Sequence, residues 1–177
     1  MATYVLAGGC FWCLDALYRR LQGVVDVVSG YTGGYSDEPI YYQVTSGNTG
    51  HAEAVRVTFD ETVIPKEVIL DIFFLVHDPT TLNRQGADEG TEYRSAMFYN
   101  DQAQEAEFTA ALQRAKSHWG NNIVTELSPL NEFYPAEDKH QDYFDKNPGN
   151  SYCSIIILPK IIKARATYTQ WFKEVEV

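Results

Sequence analysis

The sequence predicts a two-layer α/β (α+β) domain, and three observations predict it. Apolar runs of strand length recur along the chain, among them Tyr4-Val5-Leu6-Ala7 and the stretch from His51 to Phe59. Between them lie segments with apolar residues at helical spacing, such as Val68, Ile69, Ile72, Phe73 and Val76. No repeat, low-complexity tract or internal linker interrupts this alternation. The 177 residues therefore read as one domain, 1–177, long enough to bury a sizeable core. The pattern leaves strand order open.

Taken in order, Tyr4 to Ala7 is the first strand and Gly8-Gly9 a tight turn. Leu14, Leu17, Tyr18 and Leu21 then mark a helix, with Cys10 at or next to its N-terminus. Val24 to Val28 is a second strand. The Gly- and Tyr-rich run Ser29 to Tyr35 begins a long loop that continues past Pro39 and Tyr41-Tyr42 to Gly50. Loops of that length are functional or disordered, and the tyrosines argue against disorder.

From His51 to Phe59 the side chains alternate, which puts Glu53 on the same face as Val55, Val57 and Phe59. Glu53 is either buried there or a strand-end carboxylate reaching solvent. Pro65 opens a strongly apolar helix that ends near His77-Asp78-Pro79. A polar loop over 80–92 precedes a strand from Tyr93 to Tyr99. Asn100 or Asp101 caps a long helix bearing Phe108, Leu112, Ala115 and Trp119, with Gly120 as its C-cap. A short strand over Ile123 to Leu127 and a helical turn around His140, Tyr143 and Phe144 follow. Tyr152 to Leu158 is an apolar run, and a helix over about Lys160 to Lys173 closes the chain.

Composition narrows the function. A net charge of −10 argues against binding nucleic acid or an anionic membrane surface. Three cysteines are too few, and odd in number, for a secreted disulfide framework. The N-terminus lacks a basic segment followed by an apolar one, and no apolar run approaches the ~18 residues of a membrane span. A reducing, cytoplasmic setting is the expectation.

The chemistry centres on Cys10. A thiol at a helix start faces unpaired backbone N–H groups and the positive end of the helix dipole, which favour the thiolate. The opposing possibility is a buried structural thiol, since free cysteines pack well in cores. Cys13, three residues on, makes the pair a redox couple, half a metal site or two core thiols. A metal needs more soft ligands than Cys153 and four scattered histidines supply, so no metal is expected. A Cys-dependent hydrolase would need His51, His77, His118 or His140 beside Cys10. Tyr41, Tyr42 and Tyr93 lie in or near loops that also carry Glu53 and Asp88. Phenols and a protonated carboxyl could hold a polar oxygen. If buried, Glu53 keeps its proton to neutral pH, as a general acid must.

Together, three segments resemble the peptide methionine sulfoxide reductase A family. They are Gly8-Gly9-Cys10-Phe11-Trp12-Cys13, Ser46-Gly47-Asn48-Thr49-Gly50-His51-Ala52-Glu53-Ala54-Val55 and Gly90-Thr91-Glu92-Tyr93-Arg94-Ser95. Ala136-Glu137-Asp138-Lys139-His140-Gln141 and the stretch from Asn147-Pro148 to Tyr152-Cys153 match as well.

The resemblance implies a ferredoxin-like split β-α-β sandwich with a mixed sheet and extra loops and helices. It implies reduction of the S epimer of free and protein-bound methionine sulfoxide, which repairs oxidative damage. It matches Cys10 to the nucleophile and Phe11 and Trp12 to the aromatic wall around the substrate methyl. Glu53 matches the acid, Tyr41 and Tyr93 the phenols that bind the sulfoxide oxygen, and Asp88 a second carboxylate. Cys10 would become a sulfenic acid, and an intramolecular disulfide would form and be reduced by thioredoxin, or by dithiothreitol in vitro. No metal or organic cofactor is implied, and the enzyme is expected to be a monomer.

Cys153 matches the family's resolving cysteine, but Cys13 stands where many members have Gly and competes for that role. The Gly-rich tail with a further cysteine found in many members is missing. Ser154 to Lys160 continues into a helix instead, and a strand-like setting for Cys153 would hold it away from Cys10. A general thiol–disulfide oxidoreductase, a Cys-dependent acyl hydrolase and a non-catalytic binding module stay as alternatives.

Overall fold

The computed structural model describes residues 1–174. Its centre is a six-stranded mixed sheet built from β1 (Ala2–Ala7), β2 (Val24–Thr32), β3 (Ala52–Phe59), β6 (Ala96–Tyr99), β7 (Glu126–Pro129) and β8 (Phe133–Pro135), in the order β7-β6-β1-β3-β2-β8. A separate two-stranded ribbon joins β4 (Arg84–Gln85) to β5 (Asp88–Glu89).

Connectivity follows from how the strands pair. Helix α1 (Phe11–Tyr18) carries the chain from β1 to β2, leaving a gap between them that β3 fills antiparallel to both. Helix α3 (Lys66–Val76) leads from β3 toward β6, and β1 fills the second gap, antiparallel to β3 and β6. Two interlocked split β-α-β units are the ferredoxin-like arrangement that the resemblance implies. The parallel pairing of β6 with β7 makes the sheet mixed.

Side-chain alternation along the strands decides which face meets the helices. Tyr4, Leu6, Val55, Val57 and Phe59 pack with α1, α3 and α4 (Gln102–Trp119) in the main core. The opposite face carries Val5, Ala7, Ala52, Ala54, Ala96 and Phe98, covered in part by Leu130 and Phe133. Tyr4 locks strand to helix: its ring meets Phe59 and Phe108 edge-on at 5.1 and 5.0 Å. Asp101 caps α4 by accepting from the Gln104 amide at 2.8 Å, and Gly120 ends it at φ +73°.

Several expectations change. The strand read over Tyr93 to Tyr99 begins at Ala96, after a 3₁₀ turn at Thr91–Tyr93, and the one read over Ile123 to Leu127 is displaced to Glu126–Pro129. The stretch Ser29 to Thr32 belongs to β2 rather than to a loop, because Gly30 serves close approach, not a turn. A Cβ there would lie 2.5 Å from the Tyr134 carbonyl oxygen on β8. The long loop also contains a short helix, α2 (Tyr41–Thr45). The apolar run at Cys153 is helical: after the short helix α5 (Tyr143–Lys146), Cys153–Ile157 forms a π-helical turn that leads into α6 (Leu158–Thr167). Pro159 lacks an N–H and crowds the carbonyl four residues back, so a wider turn relieves both problems. Helix α6 stops at Thr167, short of Lys173, and Phe172 bridges to Leu21.

Candidate active site

The site forms where β1 turns into α1. Gly9 sits at φ +89°, and a Cβ there would lie 2.6 Å from Gln85 on β4. Both facts restrict the position to glycine. The turn places Cys10 at the N-cap of α1 with an extended backbone, φ −62° and ψ 127°. Its side chain is 7% exposed.

Glu53 arrives from β3, buried to 1%. Its Oε1 accepts the Phe11 amide at 3.1 Å, so a carboxyl from another strand caps the helix that Cys10 begins. Its Oε2 is buried and has no partner among the described residues. Burial pushes the Glu53 pKa up to about 8, with the negative charges of Asp88 and Glu92 adding to it, while the Phe11 amide and the Cys10 thiol oppose. The carboxyl is therefore mostly protonated at neutral pH. Of the two settings the sequence allows for Glu53, the buried one is realised.

Cys10 departs from expectation. Burial raises its pKa well above the ordinary thiol value, and Glu53 and Cys13 raise it further; only the nearby Trp12 amide favours the thiolate. Desolvation outweighs the helix terminus. The free thiol therefore stays protonated at neutral pH, with burial as the main cause.

An aromatic wall surrounds this pair. The Trp12 indole lies flat on Tyr143 at 3.7 Å between ring centres and stacks on His140 at 5.8 Å. Its N–H donates to His140 Nδ1 at 3.2 Å. Tyr41, the first residue of α2, rests on His140 at 4.1 Å. The Tyr41 backbone N–H donates to Glu137, which also accepts the Tyr31 hydroxyl at 3.0 Å. Phe11 is fully buried and packs against Tyr31 and Tyr41. Tyr93 closes a short 3₁₀ turn, Thr91–Tyr93.

Burial, then Glu53, raises the pKa of both Tyr41 and Tyr93, so both phenols remain donors. Cys10 also figures among the groups acting on each. Neither hydroxyl has a protein hydrogen bond among the described residues, whereas Asp88 is engaged, accepting the Tyr152 hydroxyl at 2.8 Å.

Cys10, Glu53, Tyr41, Tyr93, Phe11, Trp12 and Asp88 thus converge on one place. Cys13 joins them from the first turn of α1, its sulfur facing Tyr152 and Lys160. Cys153 is buried in the π-helical turn, and none of these groups figures among those acting on it. His51 and His77 are tied to other segments: His51 Nδ1 accepts from Gly34 N–H, and His77 lies between the Phe73 carbonyl and Ser95. His118 packs on Trp119 at the end of α4, and His140 uses Nδ1 on Trp12. No histidine nitrogen makes a hydrogen bond to Cys10 among the described residues, which counts against the hydrolase alternative. No group of three metal-ligating side chains occurs among the described residues. Sequence reasoning gave no role to Glu137, Tyr143 or Tyr152 and considered His140 only as a hydrolase base, although it singled out the segments that carry them.

A buried thiol, a protonated carboxyl and two free phenols on a ferredoxin-like sandwich suit a thiol-dependent oxidoreductase that handles a polar oxygen. A family model described as peptide methionine sulfoxide reductase matches residues 2–172, and the chain belongs to that family. The peptide methionine sulfoxide reductase MsrA of Paenarthrobacter aurescens is 59% identical over 171 residues, 97% of this chain and 98% of the relative. The reduced form of Saccharomyces cerevisiae Mxr1 superposes with a TM-score of 0.80 at 37% identity, over 86% of this chain and 88% of Mxr1. A structure of Mxr1 in complex with Trx2 aligns with a TM-score of 0.56 at 28% identity, over 80% of this chain and 84% of that one.

Proposed function

We propose that residues 1–177 form one catalytic domain that reduces the S epimer of methionine sulfoxide, free or in proteins, with Cys10 as nucleophile. The carrying observation is Glu53 Oε2: a buried carboxyl oxygen, mostly protonated, unpartnered, and set beside Cys10 with two free phenols. A sulfoxide oxygen fits that position, accepting from Glu53 and from the hydroxyls of Tyr41 and Tyr93. The substrate methyl then lies against Trp12 and Phe11.

Cys10 attacks the sulfoxide sulfur as Glu53 gives its proton to the oxygen. The net step moves oxygen to Cys10: the sulfoxide gains two electrons and leaves as methionine, and Cys10 becomes a sulfenic acid. A second thiol then condenses with the sulfenic acid, forming a disulfide and water. Cys13 is that thiol in this reading. Cys10 is the N-cap rather than a helical residue, so the pair is not two helical side chains three apart. The Cys13 amide lies 3.1 Å from the Cys10 carbonyl, and the two thiols act on each other electrostatically. The Trx2-bound form of Mxr1 supports a thioredoxin as the reductant of the disulfide.

Reduction of each sulfoxide epimer with dithiothreitol tests the proposal. The S epimer is expected to be consumed and the R epimer spared, with Cys10→Ser inactive. Turnover by Cys10→Ser, or consumption of the R epimer alone, would overturn it.

A further inference from the structure

The thiol that follows Cys10 in the chemistry has a cation of its own. Lys160, on α6, brings its Nζ to 4.0 Å from Cys13 Sγ. Cys13 is 5% exposed, and the groups acting on it come from several segments. Lys160 and the Tyr152 hydroxyl favour its thiolate; Asp88 on β5, Glu53 on β3 and Cys10 on the preceding turn oppose it. Burial opposes it most. Among the described residues, Lys160 is the cation set against this sulfur, in an otherwise acidic and apolar setting. The π-helical turn Cys153–Ile157 precedes it by a few residues and sets the rotation of α6, with Ile161 and Ala164 buried toward the core. On its outer side Lys160 borders a surface groove with His77, Asp78, Gln85 and Lys163.

We propose that Lys160 is a positioning residue for the second half-reaction, its ammonium set against the Cys13 sulfur so that the attacking thiolate forms more readily. This rests on the reading that Cys13 is the resolving thiol. The Cys13 thiolate attacks the sulfenyl sulfur of Cys10, the S–S bond forms and the S–O bond breaks. Hydroxide leaves and takes a proton from solvent to become water. One sulfur is reduced and the other oxidised, so no outside electrons enter this step. The Lys160 ammonium touches neither reacting oxygen nor substrate. Its effect is confined to the thiolate fraction of Cys13, and the first half-reaction does not depend on it.

The magnitude follows from two opposing effects. Removing a facing cation raises a thiol pKa by one to two units or so, cutting the thiolate fraction about ten- to a hundredfold below the pKa. The more basic thiolate is intrinsically more nucleophilic, with a Brønsted slope of about 0.4–0.5, which restores about three- to tenfold. A net slowing of about three- to tenfold remains.

The experiment mixes reduced enzyme with stoichiometric methionine S-sulfoxide, without reductant, across pH. It follows methionine release, the decay of sulfenic acid trapped by a dimedone-type probe, and the disulfide formed, mapped by mass spectrometry. In Lys160→Gln, methionine release is expected at the wild-type rate. Sulfenic acid decay should slow about three- to tenfold, with its pH midpoint raised by a unit or more, and Lys160→Arg should restore both. A Cys10–Cys13 bridge with unchanged decay and pH midpoint in Lys160→Gln overturns the role of Lys160 and leaves the resolving thiol standing. A Cys10–Cys153 bridge in the wild type overturns the reading of Cys13 and this proposal with it.

Discussion

Trp12 donates its indole N–H to His140 Nδ1 at 3.2 Å, and this bond joins the helix bearing Cys10 to a segment 128 residues away. Since Nδ1 accepts, the ring proton of neutral His140 is on Nε2. That nitrogen is buried without a partner among the described residues. Burial lowers the His140 pKa from the ordinary value, which keeps the acceptor available at neutral pH. Replacing His140 by Phe retains the stacked ring and removes the acceptor. A buried donor left unpaired costs about 1–3 kcal/mol, so KM for the sulfoxide should rise about tenfold with a smaller change in kcat. Asn, whose side-chain oxygen can stand where Nδ1 stands, should recover part of the loss. Unchanged steady-state constants in His140→Phe would show that Trp12 needs no such anchor.

Glu53 couples activity to stability. Its carboxyl titrates near 4.5 in an unfolded chain and at about 8 in the fold. Below the lower value both states are protonated and nothing is lost. As pH rises through this window, the unfolded chain ionises first, so the folded state loses stability up to the folded pKa. The loss is roughly 3 kcal/mol by pH 7 as an upper figure. Glu53→Gln keeps the acceptor for the Phe11 amide and removes the titration. It should cut the methionine-release step by about 10²–10⁴, the usual worth of a general acid. Its melting temperature should exceed that of the wild type by several degrees at pH 8 and match it at pH 4. Equal melting curves at pH 8 would mean that Glu53 ionises at no cost.

How much of this was legible in the sequence depends on the residue. Glu53 could be placed on the apolar face of β3 because side chains on a strand alternate with a period of two, and that face is the buried one. The start of α1 at Cys10 was legible from two glycines followed by a helical apolar period. The lengthening of β2 through Gly30 was not, because glycine signals a turn and a close approach equally well. The pKa of Cys10 was misjudged for a related reason. A helix start is local and readable, whereas desolvation and the charge of Glu53 come from chain brought in by the fold. Cys153 was read as strand-like from its apolar run, yet such a run suits a buried helical turn as well. Lys160 beside Cys13 depends on how α6 docks across the end of α1, which no local pattern records.

The two phenols are expected to act together. Neither the Tyr41 nor the Tyr93 hydroxyl is committed to a protein partner among the described residues, and burial keeps both protonated. Each Phe substitution removes one donor to the developing charge on the sulfoxide oxygen, worth about 10²–10³ for a preorganised donor. With two donors and Glu53 present, a single loss is partly covered, so each variant should slow methionine release about tenfold or more. The double variant should fall by at least a hundredfold. Single-turnover release without reductant reads this step alone. A double variant within threefold of wild type would assign the oxygen to Glu53 by itself.

His77 makes the fold acid-sensitive close to the site. Its ring is buried against Gly8, where a Cβ would lie 3.0 Å from it, and burial lowers its pKa to about 4. The unfolded chain takes up this proton near pH 6.5, so stability falls as pH drops from 6.5 toward 4, by about 3 kcal/mol at most. His77→Asn can still donate to the Phe73 carbonyl and cannot be charged. It should be less stable than the wild type at pH 7, because ring packing on the Gly8-Gly9 turn is lost, and the gap should narrow by pH 4.5. Urea midpoints at the two pH values decide it. A gap that stays constant would mean that His77 is not charged on unfolding.

The choice between the two remaining thiols gives the clearest contrast between variants. Cys13 sits in the first turn of the helix that Cys10 caps and faces the same acids, whereas Cys153 is 1% exposed inside the π-helical turn with only burial and its own backbone acting on it. In the reading that Cys13 resolves, the turn that launches α6 stays closed over Ile157, which is fully buried. Fully exposing such a side chain costs about 1.5–3 kcal/mol, before any hydrogen bonds are broken. Cys153→Ala should therefore keep at least half of the thioredoxin-supported turnover, with a modest loss of thermal stability from the vacated volume. Cys13→Ala should release one methionine per enzyme at the normal rate and then stall at the sulfenic acid when thioredoxin is the reductant. Dithiothreitol, small enough to reach Cys10 directly, should restore part of that turnover. If Cys153→Ala stalls and Cys13→Ala does not, the turn opens during each cycle and Cys153 is the resolving thiol.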